Sequence, residues 1–186
     1  MIGAGGDLEH PGVASGTAPT ACSSEDEGVA IDFSASYPAP PDAVLALLTD
    51  EGFLRDRAAA LGGQAEEVTV AGRVSTVRLA APTAGIPTVF ARFVGSSVDV
   101  VERTTWTPDG AGHRGVLDVG AAVFGRTVRV TGERLLTPDG DGTRSTVTGT
   151  AKVDAPLIGR QAEGAVSELV AVVLRREDEL LRRRLG

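Results

Sequence analysis

The stretch PLIGRQAEGAVSELVAVVLRREDELLRRRL, residues 156–185, places apolar side chains at Ile158, Ala162, Ala165, Val166, Leu169, Val170, Val173 and Leu180. Steps of three and four residues bring these positions to one side of a helix, so the segment is predicted to form a single helix of roughly eight turns. An apolar stripe of that length needs a partner surface, and the residues upstream supply one.

In residues 143–153, Val147, Gly149, Ala151 and Val153 alternate with Thr146, Thr148, Thr150 and Lys152, the period of a strand with one buried face. Strands are also predicted at about 97–107, 114–123 and 127–137. Two junctions share the letters Thr107-Pro108-Asp109-Gly110 and Thr137-Pro138-Asp139-Gly140, where proline presets φ and glycine accepts a positive one. Further out, Ile86 to Gly95 sets Phe90 and Phe93 three apart behind Pro87, which reads as one or two turns of helix. A hairpin is expected from about 64–71 and 73–80 through Ala71-Gly72, with Val68, Val70, Val74, Val77 and Leu79 as its apolar positions. At the start, Ile31, Phe33 and Ala35 alternate with Asp32, Ser34 and Ser36 in a strand over about 29–37, which Pro38, Pro40 and Pro41 stop. Pro41 can open a helix and Asp42 suits its positive end. A second short helix, Glu51 to Leu61, ends at Gly62-Gly63. The whole is an α+β domain: one strand, two short helices, about six further antiparallel strands and one long helix to lie on them.

The chain has 186 residues, a length that suits one domain. Its net charge is -7, but Asp7, Glu9, Glu25, Asp26 and Glu27 lie in residues 1–28 with no Lys or Arg beside them. From residue 29 onward 18 positive charges face 20 negative ones, which is the 25 acids less those five, so the domain lacks the basic footprint of a nucleic-acid binder. Residues 1–28, rich in Gly, Ser, Ala, Pro and acids, are expected to be a disordered acidic tail ahead of a domain spanning 29–186. One reading of the tail is that translation begins at or near Val29, from a GTG codon; an intact native mass that includes the tail would dispose of it. Cys22 is the single cysteine, so no intrachain disulfide can form. With no signal-peptide pattern and no apolar run near 18 residues, the chain is expected to be cytoplasmic and without stable membrane insertion. Seventeen of the 18 basic residues are Arg, a bias typical of a high-GC genome.

Tyr37-Pro38-Ala39-Pro40-Pro41-Asp42-Ala43-Val44 through Leu48-Thr49-Asp50, Val130-Thr131-Gly132, Asp141-Gly142-Thr143-Arg144 and Pro156-Leu157-Ile158-Gly159 together resemble the START-like superfamily of lipid-transfer, polyketide-cyclase and plant-allergen-type proteins. The Tyr-Pro-Ala-Pro-Pro start and the Glu102 to Trp106 segment look like an actinobacterial branch of unknown function, from which Asp154-Ala155-Pro156 departs mildly. The likeness covers residues 29–185. It implies the helix-grip fold, a curved antiparallel sheet of about seven strands wrapped on the C-terminal helix, and a cavity between the two.

The residues can be asked whether they agree with such a cavity. Val147, Gly149, Ala151 and Val153 must face the helix; Val128, Val130 and Gly132, then Leu117, Val119 and Ala121, are the matching inner faces of the two strands before it. Recurring Gly and Ala leave space on that face. Either bulky helix residues fill it or it stays open; close packing favours the first and the resemblance the second. If Val98, Val100, Thr104 and Trp106 point inward, so does Glu102, whose carboxylate must then be paired or protonated unless the strand bulges or lies at an edge. Trp106 suits a core rim or a ligand clamp, and Phe90 and Phe93 a lid or a pin to the core. The expected lining is Phe90, Phe93, Glu102, Trp106, Val119, Val130, Gly132, Gly149, Val166, Leu169, Val170 and Val173.

Catalytic kits are absent from the pattern. His113 falls in the Asp109-Gly110-Ala111-Gly112 turn and reads as a solvated spacer, and His10 lies in the tail. No zinc set, nucleophilic dyad, phosphate loop or dinucleotide fingerprint can be assembled, so neither a metal nor a cofactor is expected. Glu102 and Glu133 are the strand carboxylates that acid–base work would need. Near the C-terminus, Asp178 with Arg182 and Glu179 with Arg183 read as i, i+4 pairs on a solvated helix end that also holds Arg175, Arg176, Glu177 and Arg184. The expected function is carriage or sensing of an apolar small molecule, lipid, sterol-like or polyketide-like, without catalysis. A cyclase or dehydratase using a cavity carboxylate, and a co-chaperone-like interaction module, are the alternatives.

Overall fold

In the computed structural model, residues 28–83, 97–123, 125–155 and 159–186 are described. Seven strands, β1 (Val29–Tyr37), β2 (Gln64–Ala71), β3 (Val74–Pro82), β4 (Ser97–Asp109), β5 (Gly112–Val123), β6 (Arg126–Asp139) and β7 (Gly142–Val153), form one antiparallel sheet in the order β1-β7-β6-β5-β4-β3-β2. From β2 to β7 every strand pairs with its successor, and β1 closes the row on β7, with Val29 opposite Ala151 and Tyr37 opposite Thr143. Because β1 and β2 lie at opposite edges, the helices between them, α1 (Pro41–Leu48) and α2 (Glu51–Ala60), cross one end of the sheet. The long helix α3 (Gly159–Leu185) packs along β1 and β7. This is the helix-grip architecture. Among the described residues no helix is long and apolar enough to cross a membrane.

Local chemistry explains the boundaries. Pro41 occupies the first turn of α1, where no N–H partner is needed. The Asp50 carboxylate caps α2 by accepting from the Phe53 N–H at 2.7 Å. β4 and β6 run further than the pattern indicated, through Pro108 and Pro138 to Asp109 and Asp139. The turns are therefore the residue pairs Gly110-Ala111 and Gly140-Asp141, with Gly110 at φ 59° and Gly140 at φ 61°. Pro108 is tolerated because β3 stops pairing at Thr105, and Pro138 because β5 stops at Leu136, so each proline has a strand on one side only. The helix expected over 86–95, with Phe90 and Phe93, and the tail expected over 1–28, of which only Gly28 is included, lie outside the described residues.

Two core clusters lie under α3. One gathers Ala35, Tyr37, Val44, Leu48, Phe53, Trp106, Leu136, Leu180 and Leu181 where α1, α2 and the end of α3 meet the sheet. The other joins Ile31, Val147, Ala151 and Leu174, with Leu117, Val130, Val166 and Val170 partly buried against it. A third, of Leu54, Val68, Val77 and Leu79, seats α2 on β2 and β3.

Candidate functional site

Strand register sorts the concave face into rows that cross β4, β5, β6 and β7 in turn. The row Val100, Ala121, Val128 and Val153 is half-buried throughout. The next, Glu102, Val119, Val130 and Ala151, is fully buried only at Ala151. Thr104, Leu117, Gly132 and Gly149 follow with Thr104 alone buried, and the row Trp106, Gly115, Arg134 and Val147 is buried at every position. Burial is thus least in the first row and complete in the last, at the end that α1 and α2 cover. The long helix repeats the gradient: between Gly159 and Val173 no residue is fully buried, whereas Leu174, Glu177, Leu180 and Leu181 are. One end of the concave face is sealed, and the other is an apolar surface reached by solvent.

At the boundary stands an ionic chain. Arg57 of α2 donates through Nη2 to Glu102 Oε2 of β4 at 2.8 Å and through Nη1 to Glu177 Oε2 of α3 at 2.7 Å. Glu177 Oε1 pairs in turn with Arg134 Nη2 of β6. Two guanidiniums and two carboxylates alternate, so their charges balance. Side-chain exposure is 8% for Arg57, 4% for Glu177 and 6% for Arg134, against 17% for Glu102, which makes Glu102 the member nearest the open end. Burial works against the charge of Arg57, but Glu102 and Glu177 outweigh it and hold the guanidinium above its ordinary pKa. Burial likewise pushes the Glu177 carboxyl up, and Arg134 with Arg57 more than reverse that, leaving it below the usual glutamate value. Beside the chain, burial pushes the Tyr37 hydroxyl above the ordinary phenol range, Arg134 opposes that shift, and Asp178 adds to it. The Arg182 guanidinium lies 5.7 Å from the Tyr37 ring centroid.

The predicted residues separate into groups. Glu102, Val119 and Val130 lie half-buried in one row of the concave face, Val166 and Val170 pack half-buried against the Ile31 cluster, and Val173 is half-buried on the same helix. Glu102 does not lie at a sheet edge, because β4 sits between β3 and β5. Trp106 is 3% exposed, enclosed by the sealed cluster, and its Nε1 has no hydrogen-bond partner. Leu169 is 54% exposed, so it lies at the helix flank and not beneath it. Gly132 and Gly149 do not leave space in the way the sequence suggested. They face one another across β6 and β7, and a Cβ on Gly132 would run into the Thr148 carbonyl, one on Gly149 into that of Thr131. Glycine here lets two bent strands approach. Glu133 lies on the convex face, paired with Arg114, so the two strand carboxylates are not brought together.

Arg57 and Arg134 were absent from the sequence reading, and Glu177 was left on a solvated helix end, whereas it is 3% exposed. The signal was their period: Arg57 shares the buried side of α2 with Phe53, Leu54 and Ala58, and Glu177 falls between Leu174 and Leu181 on α3. Arg134 takes an inward position between Gly132 and Leu136. His113 is also corrected from solvated spacer to buried group, 8% exposed, with its Nε2 2.6 Å from Asp42 Oδ1 on α1. Asp178 does pair with Arg182, at 3.0 Å, but Glu179 takes Arg176 in place of Arg183, also at 3.0 Å. On the convex face, opposite this chain of charges, a depression of about 480 Å³ is lined by Thr127, Arg129, Thr131, Thr150 and Lys152.

Fold and site define a helix-grip protein with an ion-paired floor and a half-open apolar face. Over residues 32–185 the chain matches, and it belongs to, the family described as Protein of unknown function (DUF2505). No curated protein matches it. Among solved structures it is similar to TTHA0849 from Thermus thermophilus, at 20% identity and TM-score 0.57 over 85% of this chain and 100% of that one. It is similar also to the Zhui aromatase/cyclase from Streptomyces sp. R1128, at 15% identity and TM-score 0.56 over 84% and 93%. Protein Ms6760 from Mycobacterium smegmatis gives 16% identity and TM-score 0.56 over 84% and 90%. At these identities the likeness establishes the shared fold alone.

Proposed function

We propose that this protein is a START-like carrier or sensor, of the actinobacterial branch its sequence resembles, that holds an apolar small molecule between the open half of the sheet and the first half of α3. The observation that carries this reading is the burial gradient. Val100, Ala121, Val128, Val119 and Val130 form a contiguous apolar patch on an inner face, yet solvent reaches every one of them, and apolar surface left wet on a concave wall is surface a ligand can cover. On this reading Val166, Val170 and Val173, half-buried on α3, form the opposite wall, with the exposed Leu169 at the helix flank. Carriage without chemistry is favoured because Glu102, the carboxylate bordering this space, is already committed to Arg57.

The test is titration of the full chain with the uncharged apolar dye Nile red. Saturable binding at one site is expected, and Val170→Trp, which fills the space from the helix side, should abolish it while circular dichroism shows the fold retained. Fluorescence that rises without saturation, or a folded Val170→Trp protein that binds the dye unchanged, would overturn the proposal.

A further inference from the structure

The four-charge chain does more than anchor the helix, because one of its members borders the apolar space. Glu102 has Val77 and Val119 as its cross-strand neighbours and is the most exposed of the four. Its Oε2 accepts from Arg57, and an ionised carboxylate can only accept hydrogen bonds, on two oxygens with several lone pairs. A molecule that fills the apolar space and reaches this floor therefore meets an acceptor. The cations behind it, Arg57 and Arg134, are both engaged by Glu177 and are 8% and 6% exposed. An anionic group arriving there would face a carboxylate across low-dielectric surroundings, and within this set of four the one N–H without a partner, Arg134 Nε, is itself shut off from solvent. A cationic group would unbalance a neutral set. An uncharged donor does neither.

On the reading of the site given above, we infer that the ligand is an apolar molecule bearing a neutral hydroxyl at its inner end, an alcohol or phenol that donates to Glu102, and that Glu102 excludes the corresponding carboxylates. Glu102 is thus a specificity-determining residue. Three probes of one shape separate the possibilities: 2-naphthol, naphthalene and 2-naphthoate, titrated calorimetrically into the full chain at neutral pH. The naphthol should bind about tenfold tighter than the naphthoate, with naphthalene between them, a spread typical of one hydrogen bond to a charged group. Glu102→Gln removes one negative charge, leaving two guanidiniums to one carboxylate, so naphthoate should gain about tenfold and the preference should vanish or reverse. Glu102→Asp, which keeps the charge, should keep the preference. A wild-type protein that binds naphthoate as tightly as naphthol overturns the inference, and so does a ratio unchanged by Glu102→Gln. Should Glu102→Gln not fold, the wild-type ratio decides alone. Failure of all three probes to bind overturns the cavity reading and this inference together, whereas binding without discrimination overturns this inference only.

Discussion

The two ends of α3 cover the same sheet in different ways. From Leu174 onward the helix is clamped: Leu181 is 0% exposed and Leu180 8%, and Glu177 ties the helix to α2 and β6 through Arg57 and Arg134. Before Leu174 the helix touches the sheet chiefly on its β1 and β7 side. There Ser167 Oγ donates to the Ala30 carbonyl at 3.1 Å and the Val153 N–H donates to Glu163 Oε1 at 3.1 Å. Its other flank leaves Leu169 exposed. The difference assigns stability to one end and, on the function proposed above, binding to the other, since a surface that must accept a ligand cannot also be consumed by packing.

The sharpest way to break that comparison is to remove the clamp. Glu177→Ala leaves two buried guanidiniums without their shared carboxylate, and breaking a buried pair in this way costs about 3–5 kcal/mol, which urea unfolding should register as a large fall in midpoint. The same group sets an acid limit. Its pKa is held below the unfolded value of about 4.3, so its contribution is complete above that pH and is lost as the pH falls through the folded value. Glu177→Gln should therefore flatten the acid limb of the stability profile. An acid limb of equal steepness in the wild type and the variant would show that the clamp is not where stability resides.

Much of this was legible beforehand. Period-two alternation located the inner faces of β5, β6 and β7, and the proline and glycine punctuation placed α1, α2 and the hairpins close to where they lie. Those features are local, so a single sequence can carry them. The candidate site was legible only in part. Glu102 was marked as a carboxylate needing a partner, but Arg57 lies 45 positions away on another element and Glu177 is 120 from Arg57; which charges meet is decided by tertiary packing that no spacing rule encodes. The misreading of Gly132 and Gly149 has the same origin, because a strand's bend is fixed by its neighbour.

Those glycines give the middle prediction. A methyl on Gly149 would overlap the Thr131 carbonyl and lie 3.0 Å from the Gly132 Cα, backbone that cannot swing aside as a side-chain end can. Gly149→Ala should cost about 1–3 kcal/mol by forcing β6 and β7 apart. Because the third row, to which Gly149 belongs, lies between the clamped and the open ends, dye binding should weaken together with stability. A variant as stable as the wild type would mean that the curvature of the sheet is set elsewhere.

The smallest expected change in stability tests the open end by itself. Leu169 is 54% exposed and contributes little to the core, so Leu169→Ser should alter unfolding free energy by no more than about 0.5 kcal/mol. If this flank covers a bound molecule, the same change removes apolar area that the complex buries, at about 25 cal/mol per Å², and dye affinity should fall several-fold while the melting curve stays where it was. Loss of stability without loss of binding would reverse the assignment of the two ends. An unchanged affinity would move the site away from this flank, towards the sheet side of Val166 and Val170, where the Val170→Trp protein already probes it.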